Sequence, residues 1–170
     1  MSRGFVKEDD QEEAPFIPPR AALPAGVTNY VTPAGYEELI AEREDLEEER
    51  RNLDISSDKE RRHALAIING KLNLLNDRIA SARILKPEDQ PEEEVRFGST
   101  VSFKNLNGKQ KGITSTFQIV GVDEADIKQQ KIAFLAPLAK ALTGKKVGET
   151  TQVSMAGELR ELEITGIRYS

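Results

Sequence analysis

Leucines recur every seven residues at Leu39, Leu46 and Leu53, with Tyr36, Arg43 and Arg50 at the interleaved positions. This is half of a heptad seam, with arginine stems covering the other half. Thr32 stands where an N-cap belongs, and Pro33 suits a first helical position. Glu37 and Glu38 favour the positive end of the helix dipole. A stronger stripe follows: Leu65, Ile68, Leu72, Leu75, Ile79 and Ala82 alternate at spacings of three and four. Ser57 with Glu60 three residues on opens it as a capping box. Two such helices and a short turn predict an antiparallel hairpin of coiled-coil type over residues 30–86. Its first helix, about 20 residues long, projects roughly 30 Å. So narrow a seam buries little, and the hairpin is expected to lean on the C-terminal domain at its base.

The helical period stops at "KPEDQPEEE", where two prolines and five acids in nine residues mark residues 87–94 as an acidic linker. Beyond it, over residues 95–170, the pattern is that of strands. "STVSFKN", "TSTFQIVGV", "KIAFL", "TTQVSM" and "RELEITGI" are short, rich in β-branched residues and often alternating. Turn signals at Asn107-Gly108, Gly144, Gly148 and Gly157 separate them. One helical piece, "PLAKALTG", interrupts them, with Pro137 in its first turn and Gly144 at its exit. The expected fold class is α+β: a helical hairpin, then an antiparallel sheet with one short helix. Residues 1–29 hold Pro15, Pro18, Pro19 and Pro24 and read as an extended arm, disordered alone. Within the arm, "PFIPPRAALP" carries enough apolar side chains to dock.

Composition narrows the function. Charged residues make up 31% of the 170 and apolar residues 38%, enough for a core. No apolar run approaches the roughly 18–20 residues of a membrane helix, and the opening "MSRGFVKEDD" has no secretory apolar core. Without cysteine there is no disulfide or thiolate metal site, and a cytoplasmic protein is the simplest expectation. Residues 95–170 carry 11 basic and 7 acidic side chains. That surplus is too small for a duplex-binding stripe, so no sequence-specific DNA binding is expected. The single histidine, His63, reads as a solvated helix residue. With no HExxH, GxSxG, P-loop or GxGxxG pattern, an autonomous enzyme is not expected.

Two clusters remain. The tip, "RRNLDISSDKERR", crowds Arg50, Arg51, Arg61 and Arg62 around Asp54, Asp58 and Glu60. Close carboxylates can share Mg²⁺ with ligands from a partner, or they can cap and solvate a turn, and Glu60 already belongs to a capping box. In "GVDEADIKQQKIAF", Asp123, Glu124 and Asp126 form either a polar loop or a recognition edge for a basic surface.

Hairpin, acidic hinge and small α+β domain together resemble the Gre family of bacterial transcription elongation factors. "RFGSTVSF", "FQIVGVDEADIKQQKIAFLAPLAKALTGKKVGE" and the closing "ELEITGIRY" are similar to its pattern over about residues 30–170, with Ala136 in place of the usual serine before Pro137. The resemblance implies an FKBP-like C-terminal domain without isomerase chemistry, gripping RNA polymerase at its secondary channel. It also implies a coiled coil that enters the channel near the nascent RNA, with two tip acids helping to hold a Mg²⁺ of the polymerase, which cleaves backtracked RNA. Asp123, Glu124, Asp126, Pro137, Leu138 and Lys140 are then the expected docking surface, with Leu138 and Leu142 also candidates to pack inward. The tip departs from the family. The D-[LF]-x-E-N-x-E-Y-like stretch of its cleavage factors is missing, and the hairpin is about two turns shorter per helix, which leaves its tip on the order of 10 Å short. Asp54, Asp58 and Glu60 are therefore poor heirs to the metal-holding acids, and no cofactor of the chain's own is expected. Arg50, Arg51, Arg61 and Arg62 are expected to contact acidic channel walls or RNA phosphate. Cleavage stimulation and non-cleaving regulation both remain open, beside an FKBP-fold adaptor or chaperone-like module unrelated to polymerase.

Overall fold

The computed structural model describes residues 14–170. Helix α1 runs from Pro33 to Arg51 and α2 from Asp58 to Ser81. Thr32 caps α1, its hydroxyl accepting from the Gly35 amide at 2.9 Å. Ser57 caps α2 in the same way, accepting from the Glu60 amide at a looser 3.4 Å. The expected seam forms. Leu39, Leu46, Ile68, Leu72 and Leu75 are buried between the helices, with Tyr36, Leu53, Ile79 and Ala82 against them. Leu75 is fully enclosed. At the base, β1 (Asn29–Val31) and β2 (Ala82–Ile84) pair in parallel. These three-residue strands are too short to leave a period in the sequence.

The C-terminal lobe is a five-stranded sheet of order β5-β4-β3-β7-β6. Its strands are β3 (Thr100–Asn105), β4 (Thr114–Val120), β5 (Lys131–Ala133), β6 (Thr150–Met155) and β7 (Glu158–Arg168). Alternation sets the buried face: Val101 and Phe103 from β3, Val153 from β6, and Leu162 and Ile164 from β7. The short helix α3 (Pro137–Leu142) closes this core with Leu138, Ala139 and Leu142. The all-antiparallel expectation is corrected at one edge, because β5 lies parallel to β4. Residues 121–130 join those two strands as a crossover. They contain a 3-10 turn, Ile127–Gln129, capped by Asp126 and closed by Gln130 in the left-handed region at φ 58°.

The acidic linker is anchored at its end. Val95 is fully buried and its amide donates to the Lys145 carbonyl at 2.8 Å. The Tyr169 hydroxyl donates to the Glu94 carbonyl at 2.6 Å, and burial pushes that phenol's pKa up. Residues 14–28 of the arm form no regular helix or strand, yet they lie against both lobes. The remainder of the predicted arm, residues 1–13, lies outside the described residues.

Candidate functional site

At the tip, Arg50, Arg51, Asp54, Asp58, Glu60, Arg61 and Arg62 are all exposed. Arg50 donates to Asn69 Oδ1 at 3.0 Å, across the hairpin. Asp58, the first residue of α2, is paired with Arg61 one turn on. Glu60 supplies its amide to the Ser57 cap. Asp54 sits in the connecting loop. Among the described residues, no three acidic, histidine or cysteine side chains come together as a metal ligand set. Asp58 and Glu60 sit at the start of α2 and Asp54 in the loop, with the Asp58 carboxylate already paired.

The acids of the crossover lie elsewhere than on an open docking edge. Asp123 has only 8% of its side chain exposed, and its carboxylate meets Arg20 Nε of the arm at 3.0 Å and Arg78 Nη1 of α2 at 3.7 Å. The second distance is too long for a hydrogen bond, so Asp123 Oδ2 and Arg78 Nη1 remain buried without one. Arg20 also forks onto Glu42 of α1, with Nη1–Oε1 at 2.7 Å and Nη2–Oε2 at 3.0 Å. The hydrogen bond to Glu42, with the charge of Asp123 adding, holds the Arg20 guanidinium above its usual pKa despite burial. Glu124 is buried as well. Its carboxylate accepts from the Thr32 hydroxyl that caps α1 and pairs with Lys131 Nζ at 3.2 Å. As recognition edges these two acids are corrected to parts of an internal junction, because their charges are spent between arm, hairpin and sheet lobe.

Three glycines mark how closely those parts approach. A Cβ at Gly121 would stand 2.6 Å from the Tyr30 carbonyl oxygen, one at Gly35 would stand 2.5 Å from Glu124 Oε1, and one at Gly70 would stand 2.5 Å from Ile17 Cδ1. Sequence reasoning missed Arg20, Glu42, Arg78 and the second role of Thr32. The glycines were the available signal, since Gly35 and Gly70 fall inside strong helical patterns, where a glycine needs a packing reason.

Of the remaining predicted surface, Leu138 packs inward with Leu142, as the inward reading of that helix had it, and leaves the docking set, while Pro137 and Lys140 are exposed. Asp126 caps its 3-10 turn by accepting from the Lys128 amide at 3.0 Å. Lys140 borders a groove of about 440 Å³ together with Tyr30, Phe97, Phe134 and Arg96. The three rings in it meet at centroid distances of 5.6 to 6.0 Å in tilted and edge-on contacts. No helix among the described residues is long and apolar enough to cross a membrane.

Comparison with known proteins places this arrangement. Residues 90–169 match the family described as transcription elongation factor, GreA/GreB, C-terminal. The chain is 38% identical over 133 residues to the transcription elongation factor GreA of Neisseria meningitidis serogroup A, covering 78% of this chain and 80% of that one. It is 30% identical over 154 residues to that of Brucella anthropi, covering 82% and 96%. Among solved structures, the GreA factor homolog 1 of Thermus thermophilus aligns over 84% of this chain and 99% of its own, at 25% identity and a TM-score of 0.39. With a helical hairpin ahead of a matching sheet lobe, and relatives of this identity and coverage, the chain belongs to the Gre family, whose members act on RNA polymerase during elongation.

Proposed function

We propose that this factor regulates elongation by occupying the secondary channel of RNA polymerase without bringing metal ligands to its active site. The sheet lobe docks through the surface around exposed Pro137 and Lys140 and half-buried Asp126, and the hairpin enters the channel tip first. The observation that carries the reading is the chemistry of the tip. Asp58 is paired with Arg61, no three acids come together there as a ligand set among the described residues, and residues 50–62 carry five basic against three acidic side chains. A net basic end suits contact with acidic channel walls and offers a magnesium ion little. With the polymerase as partner, the factor works in the cytoplasm.

The test uses the purified protein on stalled, backtracked polymerase complexes. Binding without shortened RNA is the expected result, and RNA shortening above the polymerase's own rate would make it a cleavage-stimulating factor instead. Replacing Arg50, Arg51, Arg61 and Arg62 by Ala should weaken polymerase affinity several-fold at low salt and flatten its salt dependence. Equal affinity of variant and wild type across a salt series would remove the tip from the interface. Failure to co-purify with polymerase at all would favour the adaptor reading.

A further inference from the structure

We propose that the arm is an interdomain strap, with Arg20 as its clasp, that holds the hairpin and the sheet lobe in one orientation. The two lobes touch directly at the base, where Thr32 meets Glu124 and Gly121 lies against the Tyr30 backbone. Further direct contacts run from Arg78 of α2 to Asp123 at 3.7 Å and from Glu38 of α1 to Lys131 at 4.0 Å. Arg20 adds a hydrogen-bonded link farther along α1. Glu42 is ten residues beyond Thr32 along α1, about 15 Å at 1.5 Å per residue. One guanidinium joins it to Asp123 of the sheet lobe, through bonds of 2.7 and 3.0 Å on one side and 3.0 Å on the other. The planar fork of arginine suits such bridging, and a lysine cannot reproduce it.

The strap is seated on both sides of the clasp. Before Arg20, Ile17 packs on Gly70 of α2, at a point where any side chain on α2 would collide with it. After Arg20, the Ala21 carbonyl accepts from Arg78, the same residue that faces Asp123 from α2. Pro18 and Pro19 fix the intervening backbone angles, so little chain freedom is lost in presenting the guanidinium. Arm, both helices and crossover thus meet around one buried carboxylate. The strap sets the direction in which the hairpin points, and with it where the tip lies relative to the surface around Lys140.

The chain has no cysteine, so a pair introduced at exposed Lys59 and Ser154 can be labelled without background in the full-length protein. Distances between spin labels there should form one narrow population in the otherwise wild-type chain. Arg20→Ala should broaden it or add a second population, with the far-UV circular dichroism retained. An unchanged distribution would overturn the strap. If that variant does not fold, Gly70→Ala serves in its place, because alanine favours the helix while displacing Ile17. It should broaden the same distances and raise the rate of tryptic cutting after Arg20 about tenfold, and wild-type values for both would overturn the proposal. Neither measurement involves polymerase, so the strap can fail while the elongation reading stands, and the reverse.

Discussion

The tip of the hairpin and its base are built from the same kinds of residue and behave as opposites. Each gathers arginines around a few carboxylates. At the tip the charges lie in water: Asp58 has 76% of its side chain exposed and its partner Arg61 has 44%. At the base, Asp123 has 8% and Arg20 has 18%. Exposed pairs are screened and contribute a few tenths of a kcal/mol, whereas enclosed charges cost several kcal/mol when a partner is removed. The base therefore uses charge to specify how segments far apart in sequence fit together. The tip holds the same kinds of charge at the surface.

The sharpest way to break this contrast is at the backbone of the junction. Gly121→Ala would set a methyl group 2.6 Å from the Tyr30 carbonyl oxygen. Neither atom sits at the end of a flexible side chain, so β1 or the crossover must move. A loss of about 3 kcal/mol is expected, at the upper end for overpacking, measured by denaturant unfolding. A loss below about 0.5 kcal/mol would mean that the lobes are not held as closely as described.

Asp123→Ala comes next. It leaves Arg78 and one side of Arg20 facing a buried site without its anion. Removing one partner of a fully buried pair costs about 3–5 kcal/mol. Here Arg20 keeps Glu42 and some access to water, so about 2 kcal/mol is expected. Thermal unfolding of Asp123→Ala beside Arg20→Ala and the double variant tests the coupling. The double variant should cost clearly less than the sum of the two, since the residues share one network.

Much of the fold was legible because its signals are local. The seam leucines, the Thr32 and Ser57 caps and the Pro137 helix start each act within one or two turns of chain, and each stands where its pattern placed it. The parallel edge of the sheet was not legible, since β5 has three residues and its pairing depends on how the crossover runs. The junction was harder still. Arg20 and Asp123 lie 103 positions apart and Thr32 and Glu124 lie 92 apart, and no periodicity connects such residues. A cluster of acids in sequence reads the same whether it faces solvent or an arginine from the other end of the chain. That ambiguity is why Asp123 and Glu124 were expected on a surface and are found beneath one.

In expected effect, the capping hydroxyl of α2 lies between the junction and the Asp58 pair. Ser57→Ala should cost about 0.5 kcal/mol, the low end for an N-cap, because its bond to the Glu60 amide is long at 3.4 Å. The loss should be confined to fraying of the first turn, seen as faster amide exchange at residues 60–62 with exchange at Leu72 and Leu75 unchanged. Equal acceleration along the whole helix would show that the tip is coupled to the seam and is not an independent end.

The smallest effect is expected at Asp58, the residue whose type and surroundings most resemble Asp123 on paper. Two terms favour its charge. It pairs with Arg61 one helical turn away, and it lies in the first turn of α2, at the positive end of the dipole. Each contributes about 0.3–0.5 kcal/mol when exposed, and both are weakened by salt. Alanine's higher helix propensity offsets part of that loss, so Asp58→Ala should cost no more than about 0.5 kcal/mol net at low ionic strength. In 1 M salt, where the screening length is about 3 Å, the cost should fall to nearly nothing, while the cost of Asp123→Ala should persist because salt does not reach an enclosed charge. Unfolding the two variants in parallel at low and high salt separates the cases. Equal costs, or equal sensitivity to salt, would show that burial does not divide the two ends of the hairpin and that their arginines have one role between them.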